Sequence, residues 1–181
     1  MLTLPAAPLL TAAPYSPPDI SAAELRGYRR WPRANAKPVR MDPFTAALCR
    51  QPSLPSDVKP QNPHAERYLQ VFVSPEGAQA FLRGQAVPVG TRVVKEKRRA
   101  AWGQVELSTV MVKRRRGFNP ACGDWEFAVL DGSGQRVTAS GALKSCMECH
   151  RSQAQTDFLY RYYLGMRTGL GRMPDRRNHT E

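Results

Sequence analysis

The chain has 181 residues, of which 41% are hydrophobic, and its 27 Lys and Arg outweigh 15 Asp and Glu to give a net charge of +12. That length suits one domain of about 100–200 residues with some tail, and the lack of any apolar run of about 18 residues excludes a membrane-spanning helix. A charge so far from zero attracts acidic proteins, anionic membranes or nucleic acid. No nucleic-acid-reading motif accompanies it, so a solvated basic surface, or one that docks an acidic partner, is the reading that remains.

Residues 1–30 read as a Pro/Ala-rich leader or tether ending in a short helix. "MLTLPAAPLLTAAPYSPP" is apolar but has no basic stretch ahead of it and is broken by prolines, which makes it a poor secretion signal. In "SAAELRGYRRW", Ser21 as N-cap and Glu24 three residues on form a capping box. From Trp31 the chain turns irregular, with Pro32, Pro38, Pro43, Pro55, Pro60 and Pro63, the pattern of a segment that wraps a core.

Strand signals follow. "YLQVFVSP" (68–75) is rich in aromatic and branched residues and stops at proline. "EGAQAFLRG" (76–84) suits a short helix ended by glycine. "TRVVKEK" (91–97) and "VELSTVMVKR" (105–114) are two strands joined through "AWG", and "DWEFAVLD" (124–131) and "QRVTASG" (135–141) flank a "GSG" hairpin turn. Strands so closely spaced predict an antiparallel sheet, because parallel pairs need long crossovers. "AQTDFLYRYYLGMR" (154–167) carries apolar groups at helical spacing, with Phe158 and Tyr162, or Leu159 and Tyr163, sharing a face. The predicted class is α+β, an antiparallel sheet with flanking helices.

Between the last strand and that helix lies "LKSCMECHRSQ", in which Cys146, Cys149 and His150 spell C-x-x-C-H. The spacing suits covalent attachment of a c-type haem. Two thioethers reach the vinyl groups of one porphyrin, and the histidine turns beneath the ring to bind iron. Zinc would want four ligands, and the remaining candidates, Cys49, Cys122, His64 and His179, are scattered. A thioredoxin-like pair would sit in a βαβ setting rather than after an antiparallel hairpin. Haem therefore leads, with a zinc-stabilised, nucleic-acid-contacting domain as the distant alternative. Attachment of c-type haem occurs outside the cytoplasm, which predicts a periplasmic or otherwise exported protein and leaves Cys49 and Cys122 free to form a disulfide. Only 31 residues follow His150. Neither Met166 nor Met173 is well placed to cap the opposite face of the ring, which predicts an open sixth site suited to ligand binding or chemistry rather than plain electron transfer.

Three blocks in order, "VPVGTRVVKEK" (87–97), "STVMVKRRRGFNPACGDWEF" (108–127) and "CMECH" followed by "TDFLYRYYL" (156–164), resemble the cytochrome P460 family. "RRWPRANAKPVRM" and "QVFVSPEG" are similar to its branch with a longer N-terminal region and extra cysteines, so the resemblance runs from about Trp31 to Met166. It implies a haem domain over 31–175, a basic tail over 176–181, one c-type haem with His150 as the single protein ligand to iron, and commonly a homodimer. Members oxidise hydroxylamine through nitric-oxide-level intermediates, or bind nitric oxide and similar gases without turnover. In the oxidising members a lysine is cross-linked to the porphyrin edge, and the matching position is Lys95. On an alternating strand Lys95 shares a face with Val93 and Lys97, while Val94, Glu96 and Arg98 point the other way. A buried lysine loses its proton readily and becomes nucleophilic, and Lys113 on the next strand is a second candidate. The oxidising members also use a distal carboxylate as proton acceptor. No Asp or Glu lies between Gln135 and Ser145, leaving Glu96, Glu106, Asp124, Glu126 and Glu148 as suppliers. Trp102 and Trp125 are candidates for pocket walls.

Overall fold

The computed structural model describes residues 20–41, 67–162 and 164. Six strands form one antiparallel sheet in sequence order: β1 (Val39–Arg40), β2 (Tyr68–Val73), β3 (Arg92–Arg98), β4 (Val105–Lys113), β5 (Trp125–Asp131) and β6 (Val137–Gly141). Every neighbour in space is the next strand in the chain, and each pair is antiparallel, so no crossover to a parallel strand occurs. The expected strands all form, with ends shifted by a residue or two. β1, which pairs Val39 with Leu69, arises inside the proline-rich stretch.

The alternation of side chains sorts two cores onto the two faces of the sheet. Val71, Val73, Val93, Met111, Trp125 and Phe127 line the front. Phe72, Val94, Val110, Val112, Ala128 and Leu130 line the back. Helix α1 (Pro75–Leu82) covers part of the front through Ala78 and Phe81. It begins with proline in its first turn, where the missing N–H costs nothing, and stops before Gly84, whose φ of +75° ends the spiral.

Ile20, Leu25 and Tyr28 close the back, so residues 20–30 pack into the body of the domain. The expected helix here is two 3-10 turns, Ala22–Leu25 and Tyr28–Arg30, divided at Gly27. The Ser21 cap forms, its hydroxyl accepting from the Glu24 N–H at 3.4 Å. Two fully buried carboxylates pin this strap. Glu96 accepts from Tyr28 Oη at 2.6 Å and Arg29 Nε at 2.8 Å, and also pairs with Arg98. Glu126 accepts from the Ile20 N–H at 3.2 Å and from Arg114. Between the strap and the β5–β6 turn lies a cavity of about 480 Å³, lined in part by Leu25, Tyr28 and Gly134.

Asn35 seals the outer side of β2. Its amide nitrogen donates to the carbonyls of Lys37 and Leu69, each at 2.8 Å, and its side-chain oxygen accepts from the Val71 N–H at 2.8 Å. Among the described residues no helix is long and apolar enough to cross a membrane.

Candidate haem site

After β6 the chain enters helix α2 (Lys144–His150), which holds the whole C-x-x-C-H motif. Residues three and four apart share a helix face, so one turn presents Cys146 together with Cys149 and His150. Tyr160 clamps the end of this turn. Its hydroxyl donates to the Cys149 carbonyl at 3.0 Å and lies 3.2 Å from the Cys149 sulfur and 2.9 Å from Ser152 Oγ.

The His150 ring sits between Phe127 and Tyr160, each 5.3 Å away centre to centre. Its Nδ1 is 2.7 Å from the Phe158 carbonyl oxygen. A carbonyl can only accept, so Nδ1 carries the proton and Nε2 keeps its lone pair. Burial and the positive charge of Lys95 push the His150 pKa down to about 3, against the opposing pull of the Phe158 carbonyl. The imidazole is thus neutral across ordinary pH, the state a metal-binding histidine requires.

Lys95 and Lys97 reach the same region from the front of β3, as the alternation predicts. The Lys95 ammonium lies 5.8 Å from the centre of the Tyr160 ring. Burial lowers its pKa to about 8, partly countered by Cys146. Lys97 is 1% exposed, and burial followed by the nearby charge of Lys95 drives its pKa well below the lysine range. The thiol of Cys146 is pushed up by burial, with Lys97 and Lys95 drawing it back.

Several sequence expectations are corrected. Lys113, the alternative to Lys95, is committed elsewhere: its ammonium pairs with Asp157 and lies 5.0 Å above the Trp125 ring. Cys122 is a fully buried free thiol, its pKa raised to about 11 by burial, and so it is not half of a disulfide. Cys49 lies outside the described residues, as do His64, His179, Met166 and Met173. Cys149, in contrast, is disulfide-bonded. Trp102 stands 73% exposed on the β3–β4 turn and walls nothing, whereas Trp125 is fully buried in the front core.

The carboxylates offered as distal proton acceptors each have partners elsewhere. Glu96 and Glu126 serve the strap on the back. Glu106 pairs with Arg67 and Arg99, Asp124 accepts from the N–H groups of Gly117 and Asn119, and Glu148 lies exposed beside Lys144.

The expected helix over 154–167 is replaced, as far as the described residues run, by a 3-10 stretch (Arg151–Thr156) and two consecutive left-handed residues, Asp157 and Phe158. Such a reversal breaks the spiral, so the spacing that grouped Phe158 with Tyr162 does not apply. Residues 163 and 165–167 lie outside the described residues. The sequence reading missed Asp157 and Phe158 because "TDFLY" carries no glycine, the usual mark of a left-handed backbone.

The donor set fits a c-type haem: a neutral histidine with Nε2 available, a free thiol at Cys146, and a second sulfur one helical turn away. That second sulfur can form a thioether only after its disulfide is reduced to a thiol. Among the described residues no group of three or more His, Cys, Asp or Glu side chains gathers as a metal cluster.

A helix bearing C-x-x-C-H, packed against an antiparallel sheet through a half-buried histidine, suits a c-type cytochrome. The cytochrome P460 family matches residues 26–161, most of the chain. The chain belongs to that family, and it is a covalent haem c protein whose chemistry is redox chemistry on small nitrogen species such as hydroxylamine. No curated protein matches it.

Proposed function

We propose that Cys146 and Cys149 carry the haem through thioethers, that His150 is its one protein ligand to iron, and that the protein is an exported cytochrome whose open distal site takes a hydroxylamine- or nitric-oxide-level species. The observation that carries this reading is the 2.7 Å bond from His150 Nδ1 to the Phe158 carbonyl. It leaves Nε2 as the metal donor on the face that carries Cys146. When bound, the haem supplies an iron that coordinates the nitrogen ligand and accepts its electrons.

The chain's own residues do the rest. With both sulfurs as thiols, each S–H would add across one vinyl C=C with no net exchange of electrons. Lys95, neutral in a large fraction of molecules near pH 8, is the nucleophile for a further link to the porphyrin edge. Such a link would replace a ring C–H by C–N and would need a two-electron oxidant of the peroxide class from outside the chain. Phe127 and Tyr160 hold the His150 ring between them. The haem domain takes in the strap at residues 20–30 and extends to about 175, with a basic tail beyond. The exposed arginines of the basic bursts, Arg99, Arg115 and Arg116, suit an acidic electron acceptor, and a homodimer is the expected assembly.

A second reading, gas binding without turnover, is favoured by Glu96 and Glu126, the two fully buried carboxylates of the strands, which face the back of the sheet. The test is a spectrum of ferric and reduced protein made with c-type maturation, together with the mass of the haem peptide. A broad, displaced reduced Soret band that reverts in Lys95→Met supports the cross-linked, oxidising reading. An ordinary five-coordinate c-haem spectrum supports the gas binder. A colourless protein, or haem retained by covalent bonds in the Cys146→Ser/Cys149→Ser variant, rejects both.

A further inference from the structure

The geometry points to Asp157 as the residue that positions the proximal histidine. Asp157 anchors the left-handed turn that aims the Phe158 carbonyl at His150 Nδ1, and so sets how strongly His150 donates to iron. This inference rests on the reading of His150 as the axial ligand.

Asp157 and Phe158 adopt φ values of +57° and +59°. Aspartate visits this region with some ease, but for a bulky residue such as phenylalanine it is an outlier that surrounding contacts must enforce. Three elements grip Asp157. Its Oδ1 takes the ammonium of Lys113 from the end of β4, and its Oδ2 accepts the Val87 N–H at 3.0 Å from the loop before β3. Its carbonyl accepts the indole N–H of Trp125, at the start of β5, at 2.8 Å. Phe158 is then fixed by its own N–H, which donates to the Gln153 carbonyl at 2.7 Å, and by its ring, which lies where a side chain on residue 123 would stand.

The N–H groups of both residues end the 3-10 stretch on the Gln153 carbonyl, so the turn is also a left-handed helix cap. Its product is the Phe158 carbonyl lying 2.7 Å from His150 Nδ1. A strong acceptor on the far nitrogen fixes the tautomer and ring plane of a metal-bound histidine and raises its basicity. A more basic ligand stabilises ferric over ferrous iron, so a firmly held turn keeps the midpoint potential low. The Lys113–Asp157 pair is therefore part of the electronic control of the haem, although neither side chain touches His150.

The test reads the iron–histidine stretching band of the ferrous holoprotein by resonance Raman, with its midpoint potential. Asp157→Gly keeps the left-handed backbone but removes both side-chain anchors, and Lys113→Met removes one. Both should move the band to lower frequency and the potential to more positive values, Lys113→Met by less, and Lys113→Arg should restore both towards wild type. Wild-type values in the variants would overturn the proposal. Should the variants fail to load haem, the wild-type band decides. A frequency raised above that of an imidazole without an Nδ1 acceptor supports the proposal, and an unraised one overturns it. Absence of any iron–histidine band in the wild type would instead remove His150 as the ligand.

Discussion

Lys95 and Tyr160 meet across the front of the sheet, the ammonium 5.8 Å from the ring centre. Far apart in sequence, they are joined because β3 points Lys95 to the front and the turn at 157–158 folds Tyr160 back over helix α2. Tyr160 also packs edge-on against His150, so the three side chains form one wall.

Burial lowers the Lys95 pKa from 10.5 to about 8, which makes stability depend on pH. Between about pH 8 and 10.5 the unfolded chain holds the proton that the folded chain has released, so stability rises with pH across that window. Below pH 8 both states are protonated and the full penalty, at most roughly 3.5 kcal/mol at about 1.4 kcal/mol per pKa unit, is present. Urea midpoints of the chain expressed without haem should climb from pH 8 to 10.5, and Lys95→Met should flatten that rise while raising the midpoint at pH 7.

Glu96 is expected to matter for the fold and not for the haem. Glu96→Ala strands the Arg98 guanidinium and the Tyr28 hydroxyl, and should cost about 3–5 kcal/mol, the range for breaking a buried pair. The denaturation midpoint should fall accordingly while the Soret spectrum of the surviving folded protein stays at its wild-type position. A changed spectrum with unchanged stability would return Glu96 to the role of distal proton acceptor.

Gly123 combines a φ of +60° with a Phe158 ring atom 2.5 Å from where a Cβ would stand. Gly123→Ala must both adopt a left-handed backbone and displace the ring. A loss of roughly 2–3 kcal/mol is expected, by analogy with overpacking and with alanine at positive φ. Because Phe158 carries the carbonyl bound to His150, the variant should also broaden the Soret band, which absorbance during thermal melting would reveal.

Asn35→Ala should open the edge of β2. It leaves the Val71 N–H and Leu69 carbonyl without their partner inside a residue environment only 2% exposed, and each stranded group costs about 1–3 kcal/mol. Hydrogen exchange at the Val71 amide should accelerate more than at amides of β4, which keep both neighbouring strands.

The strands were legible because runs rich in branched and aromatic residues, bounded by proline and glycine, match a sheet buried on both faces. Val93, Lys95 and Lys97 against Val94, Glu96 and Arg98 separate in the structure as the alternation requires. The family was legible too, since three ordered blocks resemble it and the family match covers them up to residue 161. The region after the motif was misread for a local reason: helical spacing in "TDFLYRYYL" is real, but long-range bonds to Lys113, Val87 and Trp125 outweigh it.

The sequence by itself therefore determined the antiparallel meander, the face on which Lys95 lies, and a C-x-x-C-H turn able to hold haem, because each is set by periodicity or by spacing within one turn of chain. Only the tertiary structure decided that Lys95 and not Lys113 faces His150, that Glu96 and Glu126 turn to the strap, that Cys122 stays a buried thiol, and that Phe158 offers its carbonyl to the histidine. Those outcomes depend on which charged groups find partners when distant strands come into contact, and pairing of that kind leaves no local periodicity to read.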